Sequence, residues 1–379
     1  MVAVNIAICH LAGGGQDTPT SLGAWRDLWS NHLACSLCSV VYTCTDMTTT
    51  LKSIAAKLDI SVSLVSRVLN DRMGTSGARP ELIEAIRRTA KEMDYQKNLS
   101  AAAVRNGCHD AIGIFLHNYG RPGSGTVDAL LRGIAAEARR EKQRFTLDFI
   151  EEDEKFLAYS DIIKKTMIDG VLLGGIPHKN VKDMLRFIAK SNMPVVTVAD
   201  NAISSRVPNI GVDQVEIGRM ATEHLIQQGC RNIAHVVDFQ ERFEGYGMAM
   251  RKNNLPSRQS LIYREGEASF SHERGRRAAR FLLKAKPAVD GVFAQSDEEA
   301  VVIMNVLMDN GIRVPEDVRI IGVDNAPYCD FTRVPLSSIS QNGIELGRKA
   351  VAMLLSRIKG NQVESVVISP TLCIRESTR

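Results

Sequence analysis

The 379-residue chain predicts an α/β protein, with a small helix-turn-helix headpiece ahead of a two-lobed body of open sheets. Three observations carry that expectation. Residues 50–70 hold two short helical patterns joined by a tight turn. From residue 111 onward, short apolar runs alternate with amphipathic helical stretches, as in a parallel sheet covered on both faces. The alternation restarts after Val212-Asp213, which predicts a second lobe and a cleft between the two.

The headpiece follows from spacing. Thr50 suits the cap of a first helix through its hydroxyl. Leu51, Ile54, Ala55 and Leu58 recur at helical intervals and make one apolar face. Asp59 sits at the turn and tolerates a left-handed backbone better than most residues. Ser61 suits the cap of a second helix whose Val65, Val68 and Leu69 point inward, leaving Val62, Ser63, Ser66 and Arg67 outside. Ala55 and Ala56 are small enough for a steep, close crossing. An ordinary helical hairpin in a larger core fits the same pattern. A third helix is predicted over about 80–93, with Pro80 suited to its first turn.

Charge separates the readings. Residues 47–107 carry ten Lys/Arg against six Asp/Glu, an excess of four that equals the net charge of the whole chain. A small basic module suits a phosphate backbone. No apolar run reaches the roughly eighteen residues of a membrane helix. The eight cysteines are scattered rather than framed as disulfides. Cys108, Cys230, Cys329 and Cys373 read as reduced thiols in a cytoplasmic protein.

The first 46 residues read differently. Cys35 and Cys38 have zinc-like spacing but no second ligand pair, so no metal is expected. No Lys or Arg precedes Arg26, unlike a secretory signal. Residues 1–46 are expected to be an upstream translation artefact or a disordered appendage.

In the body, strands are predicted at 112–116, 145–150, 170–173 and 194–198, with helices at 127–142, 156–167 and 181–191. The second round has helices at 214–228, 241–253, 271–285 and 298–310, strands at 233–237, 261–263, 291–294 and 318–323, and a late helix at 345–359. The glycines of residues 120–125 lack the Gly-Lys-Ser/Thr ending of a phosphate loop. They read as a cleft-side loop. No nucleophile elbow or metal pair at helical spacing appears. His235 and His272 read as structural. An enzyme is not expected, and no cofactor is.

Ile54-Ala55-Ala56, then Val65-Ser66-Arg67-Val68-Leu69-Asn70, followed by Asn98-Leu99-Ser100-Ala101-Ala102-Ala103-Val104-Arg105, resemble the lactose-repressor/galactose-repressor family of bacterial transcription regulators. The resemblance continues through Gly211-Val212-Asp213 with Gly218, Arg242-x-x-Gly245-Tyr246, Gly291-Val292-Phe293-Ala294 and Ile321-Gly322-Val323-Asp324-Asn325. It implies a headpiece over 47–97, a hinge over 98–109, and a two-lobed, periplasmic-binding-protein-like Rossmannoid effector domain over 110–379. Thr50, Leu51, Ser61, Val62, Ser63, Ser66, Arg67, Asn70 and Asn98 match DNA-contacting positions. Val62 and Ser63 match the pair that sets operator preference. Val104 matches the side chain that wedges into the minor groove. Three residues depart from the family: Asp59 stands where it has glycine, Lys97 where it has proline and Val104 where it has leucine. Valine is shorter, which predicts a shallower wedge.

By the same resemblance His117, Asp200, Arg242 and Asp324 match polar effector contacts, and Phe270 an aromatic platform. Ser296, with Asp297, follows another strand end as a weaker candidate. Carboxylates accept from hydroxyls, guanidinium donates in a planar fork, and an aromatic face packs on the C–H side of a sugar. The chain is therefore expected to be a homodimeric repressor, with pseudo-palindromic double-stranded operator DNA and a small effector, a sugar or sugar derivative, as its partners. A solute-binding protein of the same two-lobed fold is the alternative.

Overall fold

The computed structural model describes residues 49–70, 77–96, 107–117, 124–150, 167–175, 181–198, 204–264 and 271–379. The expectations for residues 1–46, for the hinge residues Asn98 and Val104, for a helix at 156–167 up to residue 166, and for Asp200 and Phe270 lie outside them. The chain divides into two compact units, 1–97 and 98–379.

In the first unit, α1 (Leu51–Leu58), α2 (Val62–Leu69) and α3 (Pro80–Glu92) surround a small core of Ile54, Ala55, Val65, Val68, Ile86 and Ala90. The caps are as the residue types demand. Thr50 Oγ1 accepts from Ser53 N at 3.2 Å, and Ser53 Oγ accepts in return from Thr50 N at 2.9 Å, a reciprocal pair that satisfies two orphan donors. Asp59 ends α1 at φ 51°. Ser61 caps α2 by accepting from Leu64 N. One expectation needs correcting. Ala55 is buried at the helix crossing, but Ala56 is exposed, because the crossing uses only the Ile54–Ala55 face.

The second unit holds two six-stranded sheets. Its strands are β1 (Ala111–His117), β2 (Arg144–Ile150), β3 (Gly170–Gly174), β4 (Val195–Val198), β5 (Asn209–Val212), β6 (Ile233–Val237), β7 (Ile262–Arg264), β8 (Gly291–Phe293), β9 (Arg319–Val323), β10 (Ser337–Ser340), β11 (Val366–Ile368) and β12 (Thr371–Cys373). The first sheet runs β11-β5-β4-β3-β1-β2 and the second β12-β10-β9-β8-β6-β7. Every pairing is parallel except β10 with β12. The helices are α4 (Gly125–Arg140), α5 (Val181–Ser191), α6 (Gln214–Gln227), α7 (Gln240–Lys252), α8 (Ser271–Leu282), α9 (Asp297–Asp309) and α10 (Gly343–Ile358).

The lobes are not successive halves of the sequence. The late helix α10, expected within the second round, packs on β3, β4, β5 and α4 of the first lobe. Its buried Leu346, Ala350, Val351 and Leu354 cover the floor that β3 and β4 leave apolar. The chain therefore crosses between lobes three times, at 212–214, 340–343 and 368–371. The last two crossings are tied together: Asn342 Nδ2 donates to Ser369 O and to Thr371 Oγ1 at 2.8 and 2.9 Å.

Two glycines set where α6 and α7 meet. A Cβ on Gly218 would stand 2.0 Å from the Arg242 carbonyl oxygen, and one on Gly245 would stand 2.0 Å from that of Val215. Backbone blocks both, so any side chain must push the helices apart. Close contact there seats Arg242 of α7 directly beside Gln214 of α6.

Candidate functional site

On the headpiece, Val65 and Val68 face the core, while Ser61, Val62, Ser63 and Arg67 are exposed and Ser66 is half-buried. Val62 leaves 39% of its surface open at the first turn of α2. An aliphatic side chain in that position suits contact with a base edge rather than a core. Arg67 makes no hydrogen bond or ion pair with the described residues. Thr50 and Ser61 serve as caps, and Asn70 Nδ2 donates to Ser66 O at 2.7 Å, so these polar groups also hold the helix ends. Leu51 is half-buried against the headpiece core, and its role is divided between packing and surface.

In the second unit, Arg242 is the centre of a buried chain of hydrogen bonds. Only 3% of it is exposed. Its Nε donates to Gln214 Oε1 at 2.7 Å and its Nη1 to Gln295 O at 2.6 Å, and its guanidinium lies 4.8 Å from the centre of the Phe239 ring. Gln214 Nε2 donates to Gln341 Oε1 at 3.3 Å, and Gln341 Nε2 donates to Asp324 Oδ1 at 2.6 Å. Thr126 Oγ1, at the start of α4 in the first lobe, lies 3.5 Å from the same Gln341 nitrogen. Arg242 and Asp324 are thus joined through two glutamines that stand on two of the lobe crossings. Burial raises the Asp324 carboxyl, against the lowering influence of Thr126, Arg242 and Gln341.

Asp324 is held in an unusual backbone. Its φ is 112°, and Asn325 follows at 53°. Such conformations cost roughly 1–3 kcal/mol each. Four hydrogen bonds offset this: Asp324 N to Ile339 O at 2.9 Å, Asn325 N to Ser338 Oγ at 2.9 Å, Ala326 N to Asp297 Oδ2 at 2.8 Å, and Arg375 Nη2 to Asn325 Oδ1 at 2.8 Å. Each contributes about 1 kcal/mol net. Asp297 also accepts from Ser338 Oγ at 2.6 Å. It is fully buried and braces the turn that follows Asp324. Ser296 caps α9 by accepting from Glu299 N at 3.3 Å. His117 is buried at the end of β1, and its Nδ1 donates to Gly175 O at 2.9 Å, next to the end of β3.

Burial and the neighbouring Asp324 charge push Asp297 up to about 7. A carboxyl that keeps its proton in the fold and loses it in the unfolded chain stabilises the fold at acid pH. That contribution fades as pH rises from 3.8 towards about 7. In Asp297→Asn, thermal unfolding followed across pH 4–7 is expected to lose this component and fall less with rising pH than the parent. An identical slope in the two proteins would contradict it.

Sequence reasoning missed Gln214, Gln295, Gln341 and Thr126. Neutral amides and a hydroxyl carry no charge signal, and only their positions beside strand ends, helix starts and crossings mark them. His235, read as structural, lies in the core between Phe243, Tyr246 and Phe293, with the Phe293 ring centre 4.2 Å away. Burial lowers its pKa to about 3, so it stays neutral.

Residues 222–378 match the family described as a periplasmic binding protein-like domain. Over 341 residues the chain is 27% identical to the ribose operon repressor of Halalkalibacterium halodurans, covering 87% of this chain and 97% of the relative. It is 28% identical over 343 residues to the HTH-type transcriptional repressor PurR of Actinobacillus pleuropneumoniae, covering 87% and 98%. Among solved structures, a complex of the transcriptional regulator CelR with cellobiose aligns at TM-score 0.65 and 26% identity, covering 87% of this chain and 99% of the other. The lac repressor dimer bound to operator and the anti-inducer ONPF aligns at TM-score 0.73 and 20% identity, with the same coverage; at that identity it speaks for the fold.

Proposed function

The chain belongs to the lactose-repressor/galactose-repressor family, and on that premise we propose that it is a cytoplasmic, homodimeric transcriptional repressor whose grip on operator DNA is set by a sugar bound in the body. It acts as a regulator rather than an enzyme. The observation that carries this reading is the union, in one chain, of an exposed basic helix-turn-helix face with a two-lobed body whose buried Arg242 and half-buried Asp324 are wired to the crossings between the lobes.

In this reading α2 enters the major groove, with Val62 and Ser63 against base edges and Ser66 and Arg67 against bases or phosphates. Thr50, Leu51, Ser61 and Asn70 complete the contact, and Asn98 and Val104 of a hinge over 98–109 act in the minor groove. The headpiece is taken as 47–97 and the effector domain as 110–379. Asp324, Arg242, His117 and Ser296 line the sugar site with Asp200 and Phe270. A bound sugar replaces or tightens links along the Arg242–Gln214–Gln341–Asp324 chain and so favours one lobe angle over another. Sugar and operator affinities are then coupled reciprocally.

The relatives supply the precedent for both partners: one is named for a ribose operon, one structure holds cellobiose, and another is a dimer on operator. The test is retention of fragments of the host genome in a gel by the purified full chain, with and without a panel of pentoses, hexoses and cellobiose. One fragment should be retained selectively, with affinity falling steeply as salt rises because phosphate contacts release counterions. At least one sugar should change that affinity. A chain that remains monomeric and retains no fragment under any of these conditions contradicts the proposal.

A further inference from the structure

Gln295 lies two residues beyond β8, next to the helix cap Ser296, at the carboxyl end of the second sheet. Its main chain is fully engaged. The carbonyl oxygen accepts from Arg242 Nη1, and the amide donates to Glu299 Oε2 at 2.9 Å. The residue is only 3% exposed, yet neither the carboxamide oxygen nor the nitrogen has a hydrogen-bond partner. A buried amide left in this state is costly, because it has surrendered water and gained nothing. Groups of this kind in a native protein call for an explanation. This one sits where open α/β sheets receive ligands, beyond the carboxyl ends of the strands, against the residue that anchors the buried chain of hydrogen bonds.

We infer that Gln295 is a specificity-determining contact of the sugar site, and that it selects an uncharged ligand bearing a hydroxyl at this point. This inference rests on the sugar-binding reading above. A carboxamide offers both a donor and an acceptor, which a hydroxyl matches in either direction and adjacent ring hydroxyls match together. The pairing of two nearby cations favours an uncharged group over an anion. Arg242 is balanced by Asp324, which lowers the potential an incoming phosphate would feel. Arg274 is enclosed between Glu299 and Asp238, with contacts of 2.5 and 2.9 Å. A site built to bond a hydroxyl rejects the analogue that lacks it more strongly than an apolar pocket discriminates by size.

The test uses the full chain and two readouts. Gln295→Met keeps the length of the side chain and removes both polar atoms. Without ligand, Gln295→Met should melt at least as high as the parent, by up to about 2–4 °C, because an unsatisfied group has been removed. Titration calorimetry with the panel of pentoses, hexoses and cellobiose should show the sugar that binds the parent binding Gln295→Met about 10- to 100-fold more weakly. One deoxy analogue of that sugar should bind both proteins equally, since the loss of one partner cancels the loss of the other. A lower melting temperature in Gln295→Met would overturn the inference, because the carboxamide would then be bonded in the free protein. Unchanged affinity for the parent's sugar would also overturn it, while leaving the sugar site itself intact. A phosphorylated form of that sugar binding more tightly than the sugar would refute the choice of an uncharged ligand. If no sugar in the panel binds the parent, the sugar-binding reading fails, and this inference with it.

Discussion

Arg242→Ala will cost the protein its response to sugar while leaving its hold on DNA in place. The side chain supplies the donors to Gln214 Oε1 and Gln295 O, and its charge favours the ionised form of the Asp324 carboxyl against the burial that raises it. Alanine removes both donors at once inside a buried site. The expected loss of stability is about 2–4 kcal/mol, and sugar affinity should fall by at least about 100-fold. Calorimetry with the sugar that binds the parent, beside gel retention of the cognate fragment, checks both halves. The headpiece core of Ile54, Val65, Val68 and Ile86 is separate from this site, so DNA retention should survive and become indifferent to sugar. Asp324→Asn provides the second variant: it keeps the shape but loses the carboxylate, and it should show the same uncoupling with a smaller loss of stability. Full sugar binding in both variants would remove these residues from the site.

Arg67→Ala acts in the headpiece. Arg67 is exposed on α2 and belongs to no network among the described residues, so its removal should leave the melting temperature unchanged. On the cognate fragment the loss should be about 1–3 kcal/mol for each headpiece if it reads a base. If it meets a phosphate, the loss should be uniform across sequences and the salt slope should fall by about one for each headpiece. Gel retention over a salt series, on cognate and scrambled fragments, separates the two outcomes. An unchanged affinity on both would withdraw Arg67 from the interface. Exchange of Val62 or Ser63 should instead redistribute preference among fragments, because these side chains stand at the open first turn of the same helix.

The elements most legible in the sequence were those whose local signal and tertiary role agree. The apolar run of β1 and the period of α6 could be read directly, because both are buried in the way their patterns state. Sequence placed α10 almost to its ends but in the wrong lobe, since an amphipathic face does not say which sheet it covers. β10 was not anticipated, because Ser337-Ser338-Ile339-Ser340 has three polar residues among four, and the hydroxyls of Ser337 and Ser338 are taken up by Asp297, Arg375 and Thr378 within the fold. The site divides in the same way. Arg242 and Asp324 stood out as charges after strands, whereas Gln214, Gln295 and Gln341 are amides of the kind that cover ordinary surfaces. Asp297 stood out from its position after a strand, whereas its bonds to Ala326 N and Ser338 Oγ, which brace the turn beyond Asp324, could not be read from the sequence.

The threading of the chain also governs how the protein is made. A ribosome delivers β1 to β5 early, yet that sheet lacks its covering helix and its outermost strand until residue 368 has emerged. The lobe begun first is therefore left unfinished while most of the other lobe is synthesised. Pairing partners so distant in sequence make for slow closure, and a nascent chain holds its unfinished apolar floor open throughout. A messenger cut short after α9 would encode no repressor of lower activity; it would yield two incomplete sheets and a substrate for proteolysis.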